Sequence, residues 1–135
     1  MFYEFDLTVP ANTLAASPEE LEIPLSAGTV VAVEVQFPAG CSGMVYVAIF
    51  RSGHQVWPGD PDEAISGENA RIPWTEDYDL DDPPFGFVLR GWSPGATYDH
   101  KITFRFSLLD LTTAQGQRGL GGLLARMARV LIGAK

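Results

Sequence analysis

From His100 to Leu108 the chain reads "HKITFRFSL", with His100, Ile102, Phe104, Phe106 and Leu108 on alternate positions. Lys101, Thr103, Arg105 and Ser107 fill the positions between them. Successive side chains of a strand point to opposite faces, so this period of two marks a strand with one dry and one wet side. A helix would scatter the same residues around its whole circumference. The pattern recurs through the first 110 residues, bounded by Pro, Gly, Asn and Asp, and it constrains the fold more than any other feature.

"FYEFDLTV" puts Tyr3, Phe5, Leu7 and Val9 on one face and Glu4, Asp6 and Thr8 on the other. "ELEIPL" does the same with Leu21, Ile23 and Leu25, and Pro24 suits an edge strand, where a missing backbone donor is tolerated. "GTVVAVEVQF" predicts Val31, Val33, Val35 and Phe37 inward, with Glu34 and Gln36 outward. "GMVYVAIFRSGHQVW" reads as a hairpin turning at Ser52-Gly53. Its first run, Met44 to Phe50, is apolar on both faces, as a central or doubly covered strand would be. "NARIPW" predicts a short strand, and "FGFVLRGW" another with Phe85, Phe87 and Leu89 on one face.

About eight short strands and no helical period before residue 110 predict an all-β fold, a single antiparallel β-sandwich. A jelly-roll arrangement is favoured over an immunoglobulin-like one, whose Cys…Trp…Cys spacing is absent. The 135 residues suffice for one such domain, and ten prolines and fourteen glycines fit frequent turns. No internal repeat is visible.

The organisation expected is a β-sandwich over 1–110, a polar hinge "LTTAQGQR" over 111–118, and an amphipathic basic helix over 119–135. In "GLGGLLARMARVLIGAK", Leu120, Leu123, Leu124, Met127, Val130 and Leu131 recur at helical spacing and form one apolar stripe. Arg126 and Arg129 lie on the opposite side, and Gly133 suits a helix end. A helix this short is marginal in water unless its stripe is covered. Three covers are open: the sandwich of its own copy, a neighbouring subunit, or a membrane interface.

The charge is divided. Residues 1–110 hold all seventeen acids and five bases, a net −12, whereas 111–135 hold four bases and no acid. An acidic body repels phosphates, so direct nucleic-acid binding is not expected. Acidic bodies and basic tails would draw copies of the chain together, which favours docking on a neighbour. The residues predicted to bind that partner are Leu120, Leu123, Leu124, Arg126, Met127, Arg129, Val130 and Leu131. "MFYEFDLTV" does not read as a secretory signal, and no window has the run of about 18 apolar residues that a membrane span needs.

No catalytic set presents itself. The acids from Asp60 to Asp82 include "DYDLDD", whose alternating carboxylates begin like an EF-hand loop, but Asp82 and Val88 stand where that loop needs Gly and a bidentate acid. A solvated acidic loop over 60–82 is expected there, with a looser calcium site as the alternative. His54 follows a turn and His100 opens a strand on its inward face, a structural place rather than that of a base. "GCSG" at 40–43 is not a nucleophile elbow, and Cys41 alone makes neither a disulfide framework nor a zinc site. No enzyme activity, metal or cofactor is expected. Trp57, Trp74 and Trp92 each lie beside a loop signal, so they fit either sugar-stacking contacts or hydrophobic plugs at the ends of the sandwich. A carbohydrate-binding module is therefore the rival reading.

The layout resembles the small jelly-roll proteins of virus particles, in particular capsid or capsid-decorating proteins of bacteriophages. The resemblance lies in "FYEFDLTVPANT" entering a β-domain, about eight strands to "ITFRFSLLD", and then an extension. It implies a non-enzymatic structural subunit made in a host cytoplasm and located in the virion. Such a subunit is a homo-oligomer, with a trimer as one closed form, and works by contacts with neighbouring capsid subunits. No functional residue is carried over from it. The basic tail departs from a simple surface cement, which leaves outer decoration, a connector or a membrane-facing role open.

Overall fold

The computed structural model describes residues 1–110. Nine strands follow one another: β1 (Phe2–Val9), β2 (Glu19–Pro24), β3 (Gly28–Phe37), β4 (Tyr46–Arg51), β5 (His54–Trp57), β6 (Ile65–Ser66), β7 (Ala70–Leu80), β8 (Gly86–Trp92) and β9 (His100–Asp110). They form a four-stranded sheet, in the order β1-β9-β3-β7, and a five-stranded sheet, β2-β8-β4-β5 with β6 paired to β4. Every pairing is antiparallel.

The order follows from one hairpin. Ser52 and Gly53 both have positive φ, 52° and 78°, the backbone of a tight primed turn whose twist matches the strands it joins. Around that turn the chain pairs in nested fashion: β4 with β5, β3 with β7, β2 with β8, β1 with β9. The ribbon is then rolled so that alternate pairs fall in opposite sheets. β9 ends beside the start of the chain, where the Met1 amino group donates to the Leu108 carbonyl and the Leu108 amide donates to Met1 O at 2.7 Å. At the opposite end, loops 10–18 and 93–99 are tied by Asn12 N to Ala96 O at 3.0 Å and Ser93 N to Thr13 O at 2.8 Å.

The alternating residues face each other across the two sheets. Leu7, Val9, Ile23, Val33, Val35, Ile49, Leu89, Ile102, Phe104, Phe106 and Leu108 are all buried. Full burial of each such side chain contributes roughly 1.5–3 kcal/mol. β4 is interior to its sheet, with Val47, Ala48 and Ile49 buried, as its two-sided apolar run requires. Pro24 sits on edge strand β2.

Four expectations need correction. Val30, not Val31, faces inward in β3, because the register shifts between Val30 and Ala32 against both neighbours. The bulge at Val31 lets Val30 and Val33, three apart, point the same way. "NARIPW" is the opening of an eleven-residue strand, and β7 runs on through "TEDYDL", so 60–82 is not a single acidic loop. β6 is a two-residue strand, too short for alternation in the sequence to mark it. Phe85 lies before β8 and is exposed, while the inner face of β8 is Phe87, Leu89 and Gly91. The expected C-terminal helix falls outside the described residues. Among the described residues no helix is long and apolar enough to cross a membrane.

Candidate functional site

The outer face of the four-stranded sheet gathers side chains that sequence spacing could not bring together. Register places Glu4 opposite Arg105, and Arg105 opposite Glu34, on β1, β9 and β3. Arg105 Nε donates to Glu4 Oε1 at 3.1 Å, and its Nη1 donates to Glu34 Oε2 at 2.6 Å and to Gln36 Oε1 at 2.7 Å. Arg71 Nη2, from β7, reaches the same Glu34 oxygen at 2.9 Å. A chain Glu4–Arg105–Glu34–Arg71 thus crosses all four strands. Burial would raise the Glu34 pKa, but the hydrogen bonds and charges of Arg71 and Arg105 outweigh it and hold the carboxyl below its usual value. Burial likewise opposes the charge on Arg105, and its two glutamate partners reverse that.

One row nearer the end of β9, the side chains become small. Thr75, Ala32 and Ser107 are in register on β7, β3 and β9, with Phe2 of β1 opposite Ser107. Phe2 is 63% exposed and stands at one end of this row, and Pro73 borders it at the other. The result is a trough of about 730 Å³ across the strands, walled on one side by Glu34, Arg71 and Arg105.

The tryptophans go elsewhere. Trp57, on β5, is 6% exposed, and its indole Nε1 donates to Glu76 Oε1 at 2.8 Å. Its ring lies 6.1 Å from that of Trp74, 5.3 Å from Tyr78 and 5.2 Å from Phe87, and Phe87 stacks on Phe106 at 5.5 Å. Trp57 and Trp74 are therefore strand residues in an interior aromatic cluster, not loop contacts, and Trp57 has no free face for a sugar. Trp92, half-buried, stacks on Tyr46 at 6.2 Å on the outer side of the other sheet. Near it Arg90 covers the Phe50 ring at 4.1 Å and pairs with Glu20.

Loop 40–43 is built around an acid. Gly40 N and Ser42 N donate to the Glu68 carboxylate at 3.0 and 2.6 Å, and these bonds hold its pKa below the usual value. Cys41 is fully buried in the same loop; burial pushes its thiol pKa up, and the Glu68 charge adds to that. His100 is inward and 8% exposed, as expected, but its Nδ1 has no hydrogen-bond partner among the described residues. His54 is exposed at the start of β5. Asp77 and Asp79 belong to extended β7, where Asp79 Oδ1 accepts from Thr29 Oγ1 at 2.8 Å, so "DYDLDD" does not curl into a cation loop. Among the described residues, no group of three or more His, Cys, Asp or Glu side chains could hold a metal ion.

The predicted partner-binding residues, from Leu120 to Leu131, lie outside the described residues. No protein-family model and no curated protein matches the chain. Among solved structures it is similar to a chain from Bacillus endospore appendages, described as a novel family of disulfide-linked pili. That similarity has 14% identity and a TM-score of 0.41, and it covers 81% of this chain and 88% of that one. At that level the likeness carries no argument about fold or function.

Proposed function

We propose that the chain is a non-enzymatic structural subunit of a homo-oligomeric assembly, held to its neighbours by the C-terminal segment. One observation carries this reading: residues 1–110 already close their own core. The inner faces of the two sheets cover each other, and Val33, Val35, Ile49, Leu89, Phe104 and Phe106 are at most 1% exposed. The apolar stripe expected at Leu120, Leu123, Leu124, Met127, Val130 and Leu131 would then need cover outside that core. The divided charge, −12 on the body and +4 on the tail, supplies attraction between copies.

In its finer form the reading is a jelly-roll subunit of a virus particle, a decoration or other capsid-associated protein, with a trimer as one closed arrangement. The nested strand pairing supports the jelly roll. The virion setting rests on architectural resemblance alone. The burial of Trp57 removes one of the three indoles on which the carbohydrate reading depended.

The test compares full-length protein with residues 1–110 by light scattering on a sizing column and by circular dichroism. The full chain is expected as an oligomer, and the truncated chain as a folded monomer. A full chain that runs as a monomer at micromolar concentration would end this reading.

A further inference from the structure

We propose that the trough on the outer face of the four-stranded sheet receives the apolar stripe of segment 119–135 from a second copy; this rests on the subunit reading above and names the surface that reading needs. The trough combines apolar lining, from Phe2, Ala32 and Pro73, with the short side chains of Thr75 and Ser107. Ala32 and the short side chains of Ser107 and Thr75 leave room above the sheet, and Phe2 offers an exposed ring at one end. Its charged wall is internally neutralised: Glu34 is shared by Arg71 and Arg105, and Arg105 also holds Glu4. A basic segment can lie alongside it without meeting an unpaired cation from Arg105. Arg126 and Arg129, opposite the stripe, would then face away from the sheet toward solvent.

The occupant follows from where the described chain stops. Ser107, in the floor of the trough, is three residues from Asp110, the last residue of β9. Twenty-five residues follow, and they include the chain's one long apolar stripe with helical spacing. That distance along a strand is about 10 Å, while an extended hinge over 111–118 reaches about 26 Å. That length is a ceiling rather than a fixed span, and it gives the hinge the reach for the trough of a neighbour. β9 also leaves along the strand direction, whereas the trough runs across the strands. Entry in the same copy would need both a reversal and a sideways turn. Each subunit would give one tail and accept one, a head-to-tail contact that closes into a ring when the rotation permits.

The experiment uses full-length chains throughout. Ser107→Cys and Met127→Cys variants, one isotopically labelled, are mixed and treated with a short bis-maleimide; because Cys41 is buried, wild type treated in the same way is the blank. The expected product is a covalent pair of one labelled and one unlabelled chain. Ala32→Arg, which fills the trough from its floor, should lower that yield at least tenfold and shift the oligomer toward monomer. Leu123→Asp should do the same from the other side. An unchanged circular dichroism spectrum shows that each variant is folded, and cross-linking with Thr75→Arg in place of Ala32→Arg covers the case in which one variant misfolds. An oligomer that persists with no mixed cross-link overturns the trough and leaves the subunit reading standing. A Ser107→Cys/Met127→Cys double variant that links within its own chain, while the mixed single variants give no link, overturns docking between copies. A full chain that is a monomer before any treatment overturns both.

Discussion

Gly91 is on the inner face of β8, and a methyl group there would meet Val9 Cγ2 at 2.5 Å and Leu7 Cδ2 at 3.3 Å. The missing side chain is what lets β1 lie close over β8 at that point. Gly91→Ala should therefore cost about 1–3 kcal/mol through overpacking, seen as a lower urea midpoint with unchanged slope. Cys41 gives a second residue-level test. Its thiol is fully buried and its pKa raised by burial, so an aromatic disulfide reagent should fail to label it in the native protein at pH 8 and label one thiol per chain in denaturant. Rapid native labelling would contradict the packing of loop 40–43.

At the scale of elements, Glu34 and its arginines tie together strands that are distant in sequence, and this has a pH signature. The Glu34 and Glu68 carboxyls are both held below their ordinary value of 4.5 in the folded chain. Their contribution is thus present above about pH 4.5 and lost as the pH falls through the folded values. Thermal midpoints measured from pH 7 to pH 3 should fall on the acid side, and Glu34→Gln should lose stability at pH 7 yet approach the parent at pH 3. β9 supplies a larger effect. Phe104 is buried between β1 and β3, and Phe104→Ala should cost about 3–5 kcal/mol in denaturant unfolding. The elements also show what could be read from sequence. β1, β2, β9 and the Ser52-Gly53 hairpin announce themselves because alternation and turn chemistry are local. The bulge at Val31 does not, since it exists only relative to the partners of β3. The sequence marks β7 only as far as Trp74 because "TEDYDL" is acidic, and strand propensity says little about an edge strand held by its neighbour. The row Thr75–Ala32–Ser107–Phe2 was illegible for the same reason as the bulge: its members meet only through register.

For the whole molecule, the division into an acidic body and a basic tail predicts how association responds to salt. Screening shortens the reach of charge from about 10 Å at 0.1 M to about 3 Å at 1 M. The dissociation constant of the oligomer, read by sedimentation, should rise about tenfold over that range, the equivalent of about 1.4 kcal/mol. Association that strengthens with salt would instead mark contacts that are apolar throughout. The rolled hairpin has a further effect. Because Met1 and Leu108 exchange backbone hydrogen bonds, the chain's beginning and the root of its tail share one doorway. An affinity tag joined ahead of Met1 would crowd that doorway, next to Phe2 and the trough it borders. A protein tagged there could look solitary for reasons of obstruction alone.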